Sequence, residues 1–295
     1  MKKNKGHMGS TIKFESSKDR DLFMHDFNSE SEILKIFNNW NHIGKYDTKS
    51  FDFKSVIISE LISKKIITEE NFKKYNYSLG DLHLCLHDDF KSLDQSEQNK
   101  ISISFYEASE QIQNMYVKFI SNIISPIFSE KLHYQVIPTF RFHFPNQHGY
   151  EWKDRYHTDI MLGHPPYEFN VWLPFTKVFG SNSMRLTSLN DSIEIYEMCN
   201  NNFEILAEKC QYDNDFISHL SSKSSILDME YGEFIIFDPK CLHCTQHNIT
   251  NKTRISMDIR IIRENDFSKY SREYKTTGRK KMLFKPGHYF SKEAI

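Results

Sequence analysis

RISMDIRII, residues 254–262, is the stretch that decides the fold class. Ile255, Met257 and Ile259 alternate with Arg254, Ser256, Asp258 and Arg260. A period of two predicts a β-strand with one apolar and one polar face. Four polar side chains on one strand face need water or a polar cavity. A strand lining the interior of a barrel that binds an anion meets that need. Working outward, VIPTFRFHF at 136–144 reads as a second such strand, with Arg141 and His143 on one face and Phe140, Phe142 and Phe144 on the other. Residues 168–173 and 233–237 read as two more.

The first half has a helical period instead. Residues 29–40 place Ile33, Ile36, Phe37 and Trp40 at helical spacing behind a serine cap, and residues 53–66 repeat the pattern. A long stripe from Phe105 through Ile112, Tyr116 and Phe119 to Ile123 predicts a helix over about 104–126, ending near Pro126. Thr68 looks like a fresh helix start. Helices first and strands later predict an α+β chain: a double-stranded β-helix (a jelly-roll, cupin-like barrel) buttressed by N-terminal helices. We expect a tail or tag at 1–12, a helical layer at 13–130, and the barrel at 131–265. A polar, partly helical insertion is expected at 191–225 and a C-terminal extension at 266–295.

The chain has 295 residues, with 38 basic and 39 acidic side chains. That balance argues against a duplex nucleic-acid partner, which selects for a basic excess. No run approaches the ~20 apolar residues of a membrane span. Five cysteines without a secretory signal suggest a reducing, cytoplasmic setting. Nothing in the sequence sets an oligomeric state.

His157 and Asp159 lie two residues apart, so on an extended strand both side chains share a face and can reach one ion. His243 follows 84 residues later, just after the strand at 233–237. Two imidazoles and one carboxylate make a facial triad that suits iron(II) and leaves positions open for a keto acid and dioxygen. Arg254, 11 residues beyond His243, can clamp a carboxylate through two parallel hydrogen bonds, and Ser256 on the same face could add a hydroxyl donor.

With these residues in place the sequence resembles the Fe(II)/2-oxoglutarate oxygenase superfamily, with its HxD, distal His and Arg pattern on a double-stranded β-helix. The arginine spacing resembles the phytanoyl-CoA hydroxylase-like branch. YHTDIMLGHPPYEFNVWLPFT, FGSNSM, YGEFIIFD and LHCTQHNITNKTRISMDIRII are similar to oxygenases of streptomycin-type aminoglycoside and cell-surface polysaccharide gene clusters. The resemblance covers about 136–262. Within it Cys244 stands where glycine usually follows the distal histidine, and Ser188 where a more acidic stretch is usual. It implies an enzyme using Fe(II), 2-oxoglutarate and O2 to oxidise a small-molecule substrate, such as a sugar or nucleotide-linked sugar. Asp159 in the carboxylate position favours hydroxylation or a related oxidation over halogenation.

Further candidates flank this set. Asn182 could bind the cosubstrate, although turn chemistry also explains it. Arg141, His143, Asn170, Trp172 and Arg260 could meet substrate. Their structural alternatives are a solvated face for Arg141 and His143, a satisfied core amide for Asn170, core packing for Trp172, and a buried ion pair for Arg260. Cys241, His243 and Cys244 invite a zinc reading, but no second ligand pair accompanies them. His83, His87, Asp88 and Asp89 read as a solvated face. A protein side-chain hydroxylase and a ligand-binding barrel without turnover are the rival functions.

Overall fold

The computed structural model describes residues 11–91, 100–146, 155–270, 276–277 and 284–295. Of the expected tail at 1–12, residues 1–10 lie outside them, and Thr11 and Ile12 are buried. In chain order the strands are β1 (Lys13–Phe14), β2 (Asn41–Lys45), β3 (Leu132–Tyr134), β4 (Thr139–His143), β5 (Phe169–Pro174) and β6 (Met184–Thr187). They continue with β7 (Ser224–Ile226), β8 (Glu233–Phe237), β9 (His243–Thr245), β10 (Arg254–Arg263) and β11 (Thr276–Thr277).

The larger sheet runs β2-β8-β5-β10, all antiparallel. The far edge of β10 is shared: β4 pairs with residues 254–258 and β3 with residues 261–263. A second antiparallel sheet runs β7-β6-β9, and an isolated bridge between His157 and His243 extends it. β1 and β11 form a separate ladder.

The alternation read in β10 decides what packs where. Ile255, Met257, Ile259 and Ile261 are fully buried, together with Phe140 and Phe142 of β4 and Phe169, Val171 and Leu173 of β5. The helices Phe53–Ser63 and Glu110–Phe119 cover that face. Phe119 sits at its centre, with Tyr46, Phe51, Phe53 and Phe234 ringed around it at 5.2–5.9 Å. On the other face Trp172, Ile235 and Phe237 meet Met184 and Leu186 of the second sheet, so the two sheets pack across an apolar layer.

Several expectations shift. The stripe at 104–126 is broken at Ala108, whose backbone is extended, and a new helix starts behind Ser109. It then widens into a π turn over Ile120–Ile124, because Pro126 lacks the N–H that an α-register needs, and Pro126 opens the last turn instead of closing the helix. The helix expected at 29–40 covers only Glu32–Phe37 and ends at Asn38 in the left-handed region, leaving Trp40 outside. The strand at 136–144 narrows to β4 because Pro138 cannot donate to a ladder. Ser17–Phe27 is a helix that periodicity missed; Ser16 caps it by accepting the Asp19 N–H. The helical half also supplies β2, the edge strand beside β8.

The 191–225 segment holds three helices: Leu189–Met198, Phe203–Tyr212 and Asn214–Lys223. Ser188 is the first one's N-cap, accepting the Asp191 N–H at 3.1 Å. Their apolar sides bury Tyr196, Phe203, Leu206 and Leu220 against Phe23, Phe27, Tyr156 and Cys244. No described helix is long and apolar enough to cross a membrane.

Gly44 on β2 tests the sheet edge. A Cβ there would lie 2.2 Å from Cζ of the buried Phe234 ring, which Phe119 backs at 5.9 Å. Gly44→Ala is therefore expected to destabilise the chain by about 1–3 kcal/mol through overpacking. Urea unfolding reads this; an unchanged midpoint would show that β2 parts from β8 without loss.

Candidate metal centre

His157 and His243 meet because their backbones exchange two hydrogen bonds, each 3.0 Å, in the isolated bridge. Their rings lie 4.4 Å apart, centre to centre. Asp159 is not on a strand, contrary to expectation. It has helical backbone angles (φ −65°, ψ −33°) and opens the turn Ile160–Leu162, which Gly163 closes at φ +100°. The turn is anchored by Thr158, whose hydroxyl lies 2.6 Å from that of Tyr196. This bend carries the carboxylate back over the two rings. One ligating atom from each of His157, Asp159 and His243 lies within 4.8 Å of the others.

Each imidazole is oriented by a carbonyl. Nδ1 of His157 donates to Arg155 O at 3.1 Å, and Nδ1 of His243 to Cys241 O at 3.0 Å. A carbonyl only accepts, so Nδ1 carries the proton and the Nε2 lone pair is left to ligate. Burial, then the neighbouring His243, pushes the His157 pKa down to about 3. Burial lowers His243 as well. Both rings are thus held neutral, the form that binds metal. Burial alone would raise the Asp159 carboxyl, but Arg260 and the nearby histidines hold it well below the usual carboxylate range. Two imidazole nitrogens and one carboxylate oxygen, without thiolate, fit a divalent transition metal with open coordination positions.

β10 delivers the rest. Arg254 is 2% exposed and pairs with His143 of β4 in the ladder. Ser256 is fully buried, and its hydroxyl has no hydrogen-bond partner among the described residues. An orphaned hydroxyl beside a buried guanidinium fits a carboxylate ligand, which supplies only acceptors. His143 is buried too, and burial followed by Arg254 lowers its pKa.

The remaining candidates divide. Arg141 Nε donates to Asp258 Oδ2 at 2.5 Å, so the expected solvated face is an ion pair on the polar side of β10. Asn170 is 2% exposed, and neither amide atom has a hydrogen-bond partner among the described residues. Trp172 packs in the apolar layer between the sheets, which is core packing. Asn182 does not keep its amide for a cosubstrate. It accepts the Phe179 N–H at 2.8 Å and closes its own turn. Arg260 pairs with Asp159 through Nε and Nη2, each 2.8 Å from Oδ2.

The five cysteines are buried free thiols, and none joins a metal-type cluster among the described residues. His83 lies 2.8 Å from the Thr253 hydroxyl, and His87 meets Asp89 at the surface. Sequence reasoning missed His164 and Glu168, whose Nδ1 and Oε1 lie 2.9 Å apart close to Asp159, with Glu168 raised by burial. The four-residue spacing of His164 and Glu168 was the available signal for the pair. The C-terminal extension, expected to pack on or cover the site, brings Phe284 and Tyr289 onto His164 at 4.1 and 5.4 Å.

No protein-family profile matches the chain. It is 22% identical over 249 residues to the streptomycin biosynthesis protein StrG of Streptomyces griseus, covering 84% of this chain and 98% of that protein. Among solved structures it resembles HygX of Streptomyces hygroscopicus with iron bound, at 9% identity and TM-score 0.45, over 80% of this chain and 87% of that one. It resembles EctD of S. alaskensis with 2-oxoglutarate and 5-hydroxyectoine at 9% identity and TM-score 0.41, over 80% and 77%. It also resembles the non-heme alpha-ketoglutarate-dependent carbocyclase SnoK from nogalamycin biosynthesis at 11% and 0.43, over 80% and 85%. In sequence the chain is thus similar to a streptomycin biosynthesis protein.

Proposed function

We propose that the chain is an Fe(II)/2-oxoglutarate-dependent oxygenase acting on a small molecule, in a natural-product or polysaccharide pathway. The observation that carries this reading is the convergence of His157, Asp159 and His243, both histidines being neutral and aimed by backbone carbonyls. The pairing order supports reading the two sheets as a double-stranded β-helix. Four strands, β4-β10-β5-β8, face four, the His157 segment followed by β9-β6-β7.

In this reading Nε2 of His157, Nε2 of His243 and one oxygen of Asp159 hold iron. Arg254 clamps the distal carboxylate of 2-oxoglutarate, with the Ser256 hydroxyl beside it. Bound there, iron(II), 2-oxoglutarate and dioxygen supply an oxidant able to remove hydrogen from a substrate C–H bond, with succinate and carbon dioxide as coproducts. The protein contributes placement and exclusion of water. The polar face of β10 orients the cosubstrate, and the apolar layer of Trp172, Ile235 and Phe237 keeps the floor of the site dry. We assign Asn170, and the Arg141–Asp258 pair, to the wall that meets substrate.

Anaerobic addition of iron(II) and then 2-oxoglutarate should produce the weak visible charge-transfer band of the chelated cosubstrate, and succinate should form once oxygen is admitted. A wild-type chain that binds iron(II) but shows neither band nor succinate would sink the proposal. His157→Ala and His243→Ala are each expected to lose tight iron(II) binding in equilibrium dialysis. Arg254→Ala should keep the metal but weaken 2-oxoglutarate about 10- to 100-fold, the value of hydrogen bonds between charged groups at about 1.5–3 kcal/mol. Metal binding retained in both histidine variants would place the ligands elsewhere.

A further inference from the structure

Arg260 is on the polar face of β10, in register with Asn170 of β5 and six residues along from Arg254. A cation there could await an anionic substrate, yet its guanidinium is already committed. Nε and Nη2 each lie 2.8 Å from a single oxygen, Oδ2 of Asp159, and the two side chains are 11% and 4% exposed. Arginine commonly meets a carboxylate side by side, with one donor for each oxygen. Here both donors take the same oxygen, and Oδ1 receives no hydrogen bond among the described residues.

We propose that Arg260 is a positioning residue that ties down Oδ2 so that Asp159 offers Oδ1 alone to the metal. The inference rests on His157, Asp159 and His243 being the ligands. A carboxylate free to rotate can take a metal with both oxygens and fill a coordination position that a facial triad must leave open. With Oδ2 held, that position stays available. The same contact balances the Asp159 charge in the metal-free chain, so the carboxylate stands in place before any ion arrives.

Arg260 is itself held from behind. Glu168 faces its positive charge and is braced by His164 at 2.9 Å. Tyr289 faces it too, delivered by the C-terminal segment. That segment runs along the free edge beyond β3: the Val136 N–H donates to Tyr289 O at 3.0 Å, and the Ser291 N–H to Tyr134 O at 2.7 Å. The guanidinium is thus held on Asp159, with the segment just before β5 and the chain end facing its charge, neither of which contributes a metal ligand of its own.

Cobalt(II) added to the full-length chain without cosubstrate reads both affinity and coordination number through its d–d absorption. Arg260→Gln, which keeps one donor and removes the fork and the charge, is expected to weaken cobalt(II) about 10- to 100-fold. Its bands should also lose intensity, as both Asp159 oxygens bind and coordination rises. Arg260→Lys should recover part of the affinity. A folded Arg260→Gln chain with wild-type affinity and spectrum overturns the proposal, even if its thermal stability has dropped. If Arg260→Gln does not fold, Arg260→Lys decides: weakened binding with altered bands supports the role, and a wild-type titration overturns it. His157→Ala beside these separates the two ideas. If wild type binds no cobalt(II), or His157→Ala binds it equally well, the ligand assignment has failed and this role falls with it.

Discussion

Arg254, Ser256, Asp258 and Arg260 are buried on one face of a strand whose other face buries Ile255, Met257, Ile259 and Ile261. Burying a guanidinium or carboxylate without a partner is prohibitive, and removing one partner of a buried pair costs about 3–5 kcal/mol. Much of the arrangement around the site answers that constraint. Arg260 finds Asp159, Asp258 finds Arg141, and Ser256 waits beside Arg254 with an unsatisfied hydroxyl. Arg260 and Asp258 are each balanced by an opposite charge, which lets the sheets close over them.

The same burial sets the chemistry of the two histidines. Removed from water, both imidazoles lose their affinity for a proton, and the carbonyls of Arg155 and Cys241 choose which nitrogen keeps its hydrogen. Ligating nitrogen and hydrogen-bond donor are thereby separated on each ring before a metal is considered. Asp159 is treated differently. Its ionised form is kept by Arg260, so the triad combines two neutral donors and one anion. Elements with no ligand of their own support this arrangement: the helix Leu189–Met198 through Tyr196, and the chain end through Tyr289.

Much of the antiparallel sheet was legible because its signal is local. A period of two in β10, β4 and β8 follows from one face meeting the helical layer, and that pattern survives in any strand with a single apolar side. The convergence of His157, Asp159 and His243 was legible because residue type and spacing both constrain them. The helical half was less legible. Its long stripe breaks at Ala108 and widens before Pro126, where backbone geometry overrides side-chain periodicity. β2 was hidden because Asn41–Lys45 carries little apolar pattern, and its place is set by the ladder with β8. For Asn182 the sequence left a turn amide and a ligand-binding amide side by side, and the Phe179 N–H is found on its side-chain oxygen.

By itself the sequence determined which residues can hold a metal and an anion, and which strand faces are apolar, because ligand chemistry and alternation are properties of residue type and order. Only the tertiary structure decided that Asp159 sits on a turn rather than a strand, that Arg260 belongs to Asp159 rather than to a ligand, and that the chain end covers His164. Those outcomes depend on which charges become neighbours once water is excluded. Residues 101 positions apart, such as Asp159 and Arg260, acquire a mutual obligation only when folding removes the solvent that satisfied each alone.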